Sequence, residues 1–163
     1  MSNLWIPSRP KFPGQITDGS SWSKVISLLL AKGYGVKAIE MPLTSFEEDW
    51  AAVKGAIGAQ EGPVLLVGHS YGGVVITKAG NDPKVQGLVY GAAFAPDANQ
   101  SIDDMSKGLP PGRAEITSTP DGSLLLSAKG IREDFVQDLT ADEQARLIAT
   151  QRKTSPKSLD GKP

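Results

Sequence analysis

The stretch Val64-Leu65-Leu66-Val67-Gly68-His69-Ser70-Tyr71-Gly72-Gly73-Val74-Val75-Ile76-Thr77 decides how this chain reads. Val64 to Val67 is an all-apolar run, as expected of a strand buried on both faces. A glycine-rich turn around Ser70 follows, and then a helical segment to about Gly80. A G-x-S-x-G match alone is a weak signal, because glycine and serine are common. Its context here is specific: a strand that stops abruptly, a serine on a strained turn and a helix that starts at once. The flanking glycines are expected to make room where side chains would collide with neighbouring backbone. The helix N-terminus then directs its dipole and free N–H groups at the reacting oxygen. In this reading Ser70 is a nucleophile, and the Tyr71 N–H helps hold the oxyanion of an acyl-transfer intermediate. The spacing fits neither G-x-G-x-x-G nor the lysine-bearing phosphate loop.

Helix and strand alternate on either side of this turn. Asp18, Ser20 or Ser21 can cap a helix running to about Lys32, with Trp22, Val25, Ile26, Leu29 and Leu30 on one side. Gly33 and Gly35 stop it. Val36 to Glu40 reads as a short strand, and Thr44 with Glu47 as a capping box opening a helix to about Ala59. Beyond the turn, Asn81-Asp82-Pro83 precedes an apolar strand from Val85, extended to Phe94. Apolar strands alternating with helices predict a mostly parallel sheet with helices on both faces. After Pro96 the composition shifts to Asp, Ser, Gly and Pro. Residues 114–118 and 123–127 flank Thr119-Pro120-Asp121-Gly122 as a small hairpin. Ile131 to about Gln151 reads as polar helix, split near Thr140. The last twelve residues, RKTSPKSLDGKP, are polar and are expected to be unstructured.

The 163 residues suffice for one domain with a sizeable core. With 39% hydrophobic and 21% charged residues, the composition is that of a globular chain rather than a disordered one. Seventeen basic against 18 acidic residues, with no basic stripe, argue against a nucleic-acid partner. The absence of cysteine removes disulfides, thiolate metal sites and cysteine nucleophiles. No apolar run approaches the roughly 20 residues needed to cross a bilayer, so no membrane partner is expected. The opening MSNLWIPSRPKFPGQ does not read as a signal peptide. Cytoplasmic location is the default expectation.

The segments DGSSWSKVISLLLAKGYGVKAIEMPLTS and GPVLLVGHSYGGVVITKAGNDPKVQGLVYGAAFAPD resemble the small α/β-hydrolases. Within these, the similarity is to bacterial esterase-like hydrolases related to plant methylesterases and hydroxynitrile lyases. It covers about residues 14–151. It implies a partial α/β-hydrolase fold: residues 1–96 as the core carrying the elbow, 97–163 as a cap region and polar tail. It also implies hydrolysis of carboxylic esters of small molecules, with Ser70 as nucleophile. Neither a metal nor an organic cofactor is implied.

The resemblance also defines what this chain lacks. The family places an apolar strand followed by His-Gly near the N-terminus, where an N–H completes the oxyanion hole. Counting back from Asp18 puts Pro13-Gly14 at the His-Gly and Gln15 at the donor. The central strand then falls on Ser8-Arg9-Pro10-Lys11-Phe12, which is ill-suited to a sheet centre. Asn3-Leu4-Trp5-Ile6 would serve only at a shifted register, and that substitution is not expected. Beyond a cap such as this one the family continues for two more strands; the first carries the triad aspartate, and a loop after the second carries the triad histidine. The chain holds one histidine, His69, next to Ser70 on the turn and expected to be structural. Asp97, Asp103 and Asp104 are expected to be surface carboxylates. The chain thus reads as a truncated copy of a longer esterase-like protein, with exposed sheet edges that invite self-association. A serine without its base is a poor nucleophile at neutral pH, so efficient catalysis by this chain alone is not expected. The alternatives are a non-catalytic module binding a small apolar ligand on the same scaffold, and an inactive fragment.

Overall fold

The computed structural model describes residues 3–7, 19–107 and 115–163. Its centre is a four-stranded parallel sheet of β1 (Asn3–Pro7), β2 (Gly35–Ile39), β3 (Val64–Ser70) and β4 (Val85–Ala93), in the spatial order β2-β1-β3-β4. A 3-10 turn, Gly19–Trp22, leads into α1 (Ser23–Ala31), which joins β1 to β2; α2 (Phe46–Gly58) joins β2 to β3, and α3 (Gly72–Ala79) joins β3 to β4. The step from β1 to β2 runs one way along the sheet, whereas the steps to β3 and β4 run the other way. Right-handed crossovers therefore put α1 on one face and α2 with α3 on the opposite face.

The helix-paired face carries the main core. Val64 and Leu66 of β3 are buried there with Val53 and Ile57 of α2 and Val74, Val75, Ile76 and Ala79 of α3. Along β3 the intervening Leu65, Val67 and His69 are only half-buried. On α1 no residue is buried, and Val25, Leu28 and Leu30 are exposed. Of the apolar side expected of this helix, Trp22, Ile26 and Leu29 are half-buried while Val25 and Leu30 are exposed. Their periodicity is helical, but among the described residues α1 packs chiefly on β2 and its own preceding turn. That helix also has no side-chain cap.

The central strand differs from expectation. It is Asn3–Pro7, with Asn3 opposite Gly35 on one side and Val64 on the other. This segment has no charged residue. Its proline lies at the end, where pairing continues only with β2, because the β1–β3 ladder spans Asn3 to Trp5. The missing proline N–H is therefore not required by both neighbours. Residues 8–12, where a simple count places the strand, lie outside the described residues. The start of α2 is also shifted by one. Ser45, not Thr44, is the N-cap and accepts from the Glu48 N–H at 3.2 Å, while Thr44 hydrogen-bonds the Glu48 carboxylate.

Beyond the sheet come α4 (Ile102–Ser106), the hairpin β5 (Ile116–Ser118) and β6 (Leu124–Leu126), α5 (Ala128–Gly130) running into a π turn at Ile131–Phe135, and α6 (Ala141–Thr150). Thr140 caps α6 with Glu143 in a capping box, where the polar helical stretch was expected to split. Leu126 and Ile131 centre a small second cluster with Phe135, Val136, Leu147 and Ile148.

The C-terminal segment is ordered, against expectation. Thr154 pairs with Leu124 through both backbone bonds, the Ser155 N–H donates to the Leu43 carbonyl at 2.9 Å, and α7 (Pro156–Leu159) follows. Leu159 packs on the main core, and Gly161 lies so close to the Phe46 ring that a Cβ there would overlap it. Polarity of composition concealed this docking, which rests on buried serine, threonine and glycine rather than on an apolar stripe.

Candidate active site

Ser70 is the last residue of β3, and α3 begins two residues later. Its φ is 51°, a left-handed conformation that costs a serine about 1–3 kcal/mol and persists only where neighbours enforce it. Those neighbours are specific. A Cβ on Gly68 would stand 2.7 Å from the Gly72 carbonyl oxygen, and one on Gly73 would run into the Phe94 carbonyl. Around Gly72 there is open space. The glycines demanded by packing are therefore Gly68 and Gly73. Gly72, although part of the motif, is not sterically required, which corrects the simple expectation for the flanking pair. Across the sheet, the register of β4 shifts between His69 and Ser70, Ala92 takes φ 45°, and the Phe94 N–H donates to the Ser70 carbonyl at 3.1 Å.

The serine is 5% exposed and lies at the N-terminus of α3, where the helix dipole favours negative charge. Tyr71 occupies the N-cap, so its N–H belongs to the same group of helix-terminal donors. Gln15, the second expected oxyanion donor, lies outside the described residues. His69 precedes Ser70 in β3 and is half-buried. Asp97 and Asp103 are exposed. Asp104 closes the capping box with Ser101 at the start of α4 and pairs with Lys107 and Lys162. The Lys107 ammonium, then the Ser101 N–H, hold its carboxyl below the ordinary carboxylate range. Asp97 and Asp103 thus lie at the surface, and Asp104 is engaged at the start of α4.

One site feature escaped the motif reading. The Tyr71 ring is buried, and its hydroxyl donates to Asp49 Oδ2 at 2.8 Å. Asp49 Oδ1 accepts the Leu43 N–H at 2.7 Å. Asp49 is 0% exposed. Burial raises its pKa, against the opposing pull of the Leu43 N–H and the Tyr71 hydroxyl. Burial, then the Asp49 charge, pushes the Tyr71 phenol up as well. The buried Ser158 hydroxyl stands close enough to ease the charge on Asp49, yet has no hydrogen-bond partner among the described residues. A signal for Asp49 existed in the sequence. It lies on the stripe Phe46, Asp49, Val53, Ile57, the buried face of α2, so an acid stands where helical spacing calls for an apolar residue.

A cleft of about 320 Å³, lined by Trp50, Lys54, Lys78, Asn81, Asp82 and Pro83, opens at the far end of α3 from Ser70. It does not include the elbow. No helix among the described residues is long and apolar enough to cross a membrane.

The fold has known counterparts. A solved polyneuridine aldehyde esterase superposes with a TM-score of 0.78 at 16% identity, covering 99% of this chain and 74% of that one. A pyrethroid hydrolase from Sphingobium faniae JZ-2 gives a TM-score of 0.72 at 20% identity, covering 99% of this chain and 70% of that one. A methylesterase from Arabidopsis gives 0.73 at 16%, covering 99% and 71%. At such identities the likeness is one of fold. In sequence, the chain is 48% identical over 63 residues to a carbendazim hydrolyzing esterase of Nocardioides sp. (strain SG-4G), covering 36% of this chain. That match spans 26% of the relative's own length. The model of the alpha/beta hydrolase family matches residues 4–161, nearly the whole chain. With its parallel sheet and strained serine turn, this chain belongs to the alpha/beta hydrolase family.

Proposed function

We propose that the chain acts as a serine-nucleophile hydrolase on carboxylic esters of small molecules. The observation that carries this reading is Ser70 at φ 51° on a strand-to-helix turn closed by Gly68 and Gly73. Ser70 Oγ attacks the ester carbonyl and gives its proton to a base. The carbonyl oxygen becomes an oxyanion at the Tyr71 N–H and, in this reading, the Gln15 N–H. Collapse of the tetrahedral intermediate expels the alcohol, and water then releases the acid from Ser70. Esterases among the relatives support the same substrate class.

In this reading the base comes from outside these 163 residues, because the single histidine, His69, is the immediate chain neighbour of Ser70 on the turn, where neighbouring side chains diverge. Oxyanion stabilisation alone sustains roughly 10³-fold acceleration over water. Slow hydrolysis of a p-nitrophenyl ester is therefore expected, and the part that passes through Ser70 is read as the difference from Ser70→Ala. Added imidazole should stand in for the base and speed it relative to Ser70→Ala at the same imidazole concentration. Equal rates for the two proteins with and without imidazole would reject the reading.

That the single histidine is the chain neighbour of Ser70 also supports a second reading, a module that binds a small apolar ligand without turning it over. A ligand-dependent rise in Tm without turnover would select it.

A further inference from the structure

The elbow is held from behind by a carboxylate that the proposed chemistry does not use. We propose that Asp49 is a positioning residue for the elbow, acting through the Tyr71 hydroxyl to set the direction of the Tyr71 N–H and the place of Ser70. The proposal rests on the reading of Ser70 as nucleophile.

One peptide unit joins Ser70 to Tyr71. The Ser70 carbonyl and the Tyr71 N–H lie in the same plane, because the peptide bond joining them is rigid. One end of that plane is fixed by the Phe94 N–H on the Ser70 carbonyl at 3.1 Å. The residue at the other end is fixed by its ring, buried in the core, and by the 2.8 Å bond from its hydroxyl to Asp49 Oδ2. Two anchors therefore set the tilt of the plane, and the tilt aims the N–H at the oxyanion. The strained φ of Ser70 requires such over-determination.

Asp49 is suited to this task because neither of its oxygens is idle. Turning the carboxylate away from Tyr71 would also disturb the Leu43 N–H at 2.7 Å. Leu43 is itself held at φ 67°, with its carbonyl accepting from Ser155. The anchor thus runs from α2 through the β2–α2 connection to the C-terminal segment. Nothing in this chain of contacts faces solvent at Asp49, which is fully buried.

The test is the kinetics of inactivation by a fluorophosphonate, measured well below the Tm of each protein. Tyr71→Phe keeps the ring and removes only the anchoring bond. Its inactivation rate constant at saturating probe is expected to fall about tenfold or more, with the half-saturating probe concentration near that of the wild type. Asp49→Ala should fall similarly. The double variant should fall no further than the slower single variant, as for two ends of one interaction. Should Asp49→Ala fail to fold, Asp49→Asn takes its place in the cycle. A wild-type rate constant in folded Tyr71→Phe, or losses that multiply in the double variant, overturns the positioning role and leaves the nucleophile reading standing. A wild-type chain that does not react at Ser70 overturns both.

Discussion

The two faces of the sheet are built unequally. On one, Val64, Leu66, Gly68 and Ser70 are buried beneath α2 and α3, and a buried carboxylate braces the turn. On the other, Leu65, Val67 and His69 are half-buried, and α1 buries no residue. The packing that this chain supplies is concentrated on the face that carries Ser70. A serine held in a strained conformation needs rigid surroundings to keep its geometry, and those surroundings lie within residues 39–102 together with the docked C-terminal segment. At the end of β3, Ser70 is buried and its neighbour His69 is half-buried.

The contrast can be broken most severely from the packed side. Leu66→Ala, at a fully buried position, is expected to cost about 2–5 kcal/mol in denaturant unfolding. Next is the steric contact at the turn. Gly73→Ala forces β4 and the elbow apart and should cost about 1–3 kcal/mol. Gly72→Ala, one residue earlier in open space, should stay within about 1 kcal/mol of the wild type. If both alanine variants behaved alike, the assignment of the demanding glycines would be wrong.

A smaller effect separates a buried acid from an exposed one. Burial raises Asp49 above its ordinary 3.8, so the folded chain holds this proton more tightly than the unfolded chain. The stability linked to it is fully present below pH 3.8 and is lost as pH rises through the folded-state value. The Tm of Asp49→Asn minus that of the wild type should therefore climb with pH over this window and then level off. Asp104, lowered by Lys107 and the Ser101 N–H, has the opposite sign. Its contribution is present above 3.8 and lost as pH falls through the folded-state value. The Tm deficit of Asp104→Asn should thus shrink in acid. The smallest effect is expected on the open side: Leu28→Ala, at a residue 65% exposed, should stay within about 0.5 kcal/mol of the wild type.

The elbow and its flanking elements were legible in the sequence because their signals are local: an apolar run, a glycine-flanked serine and an immediate helix. Strands β2 to β4 and the split at Thr140 were legible on the same grounds. The central strand was not, since Asn3–Pro7 is short and its suitability depends on which neighbour each residue faces. Nor was the docking of α7, whose contacts with Leu43 and Phe46 are formed only by the tertiary fold. The apolar spacing of α1 was read correctly as helical, but spacing alone does not say what a helix packs against. Asp49 stood in plain view on the buried stripe of α2. An acid in the first turn is also what the helix dipole prefers, so the sequence position alone does not point to Tyr71.

The most direct test of the central claim is labelling of the wild-type chain with a fluorophosphonate, beside Ser70→Ala, with the modified residue located by mass spectrometry. Time-dependent modification of Ser70 alone, absent from the Ser70→Ala protein, is the predicted result. Modification at the same level in both proteins, or none in either, would contradict the assignment of Ser70 as the nucleophile.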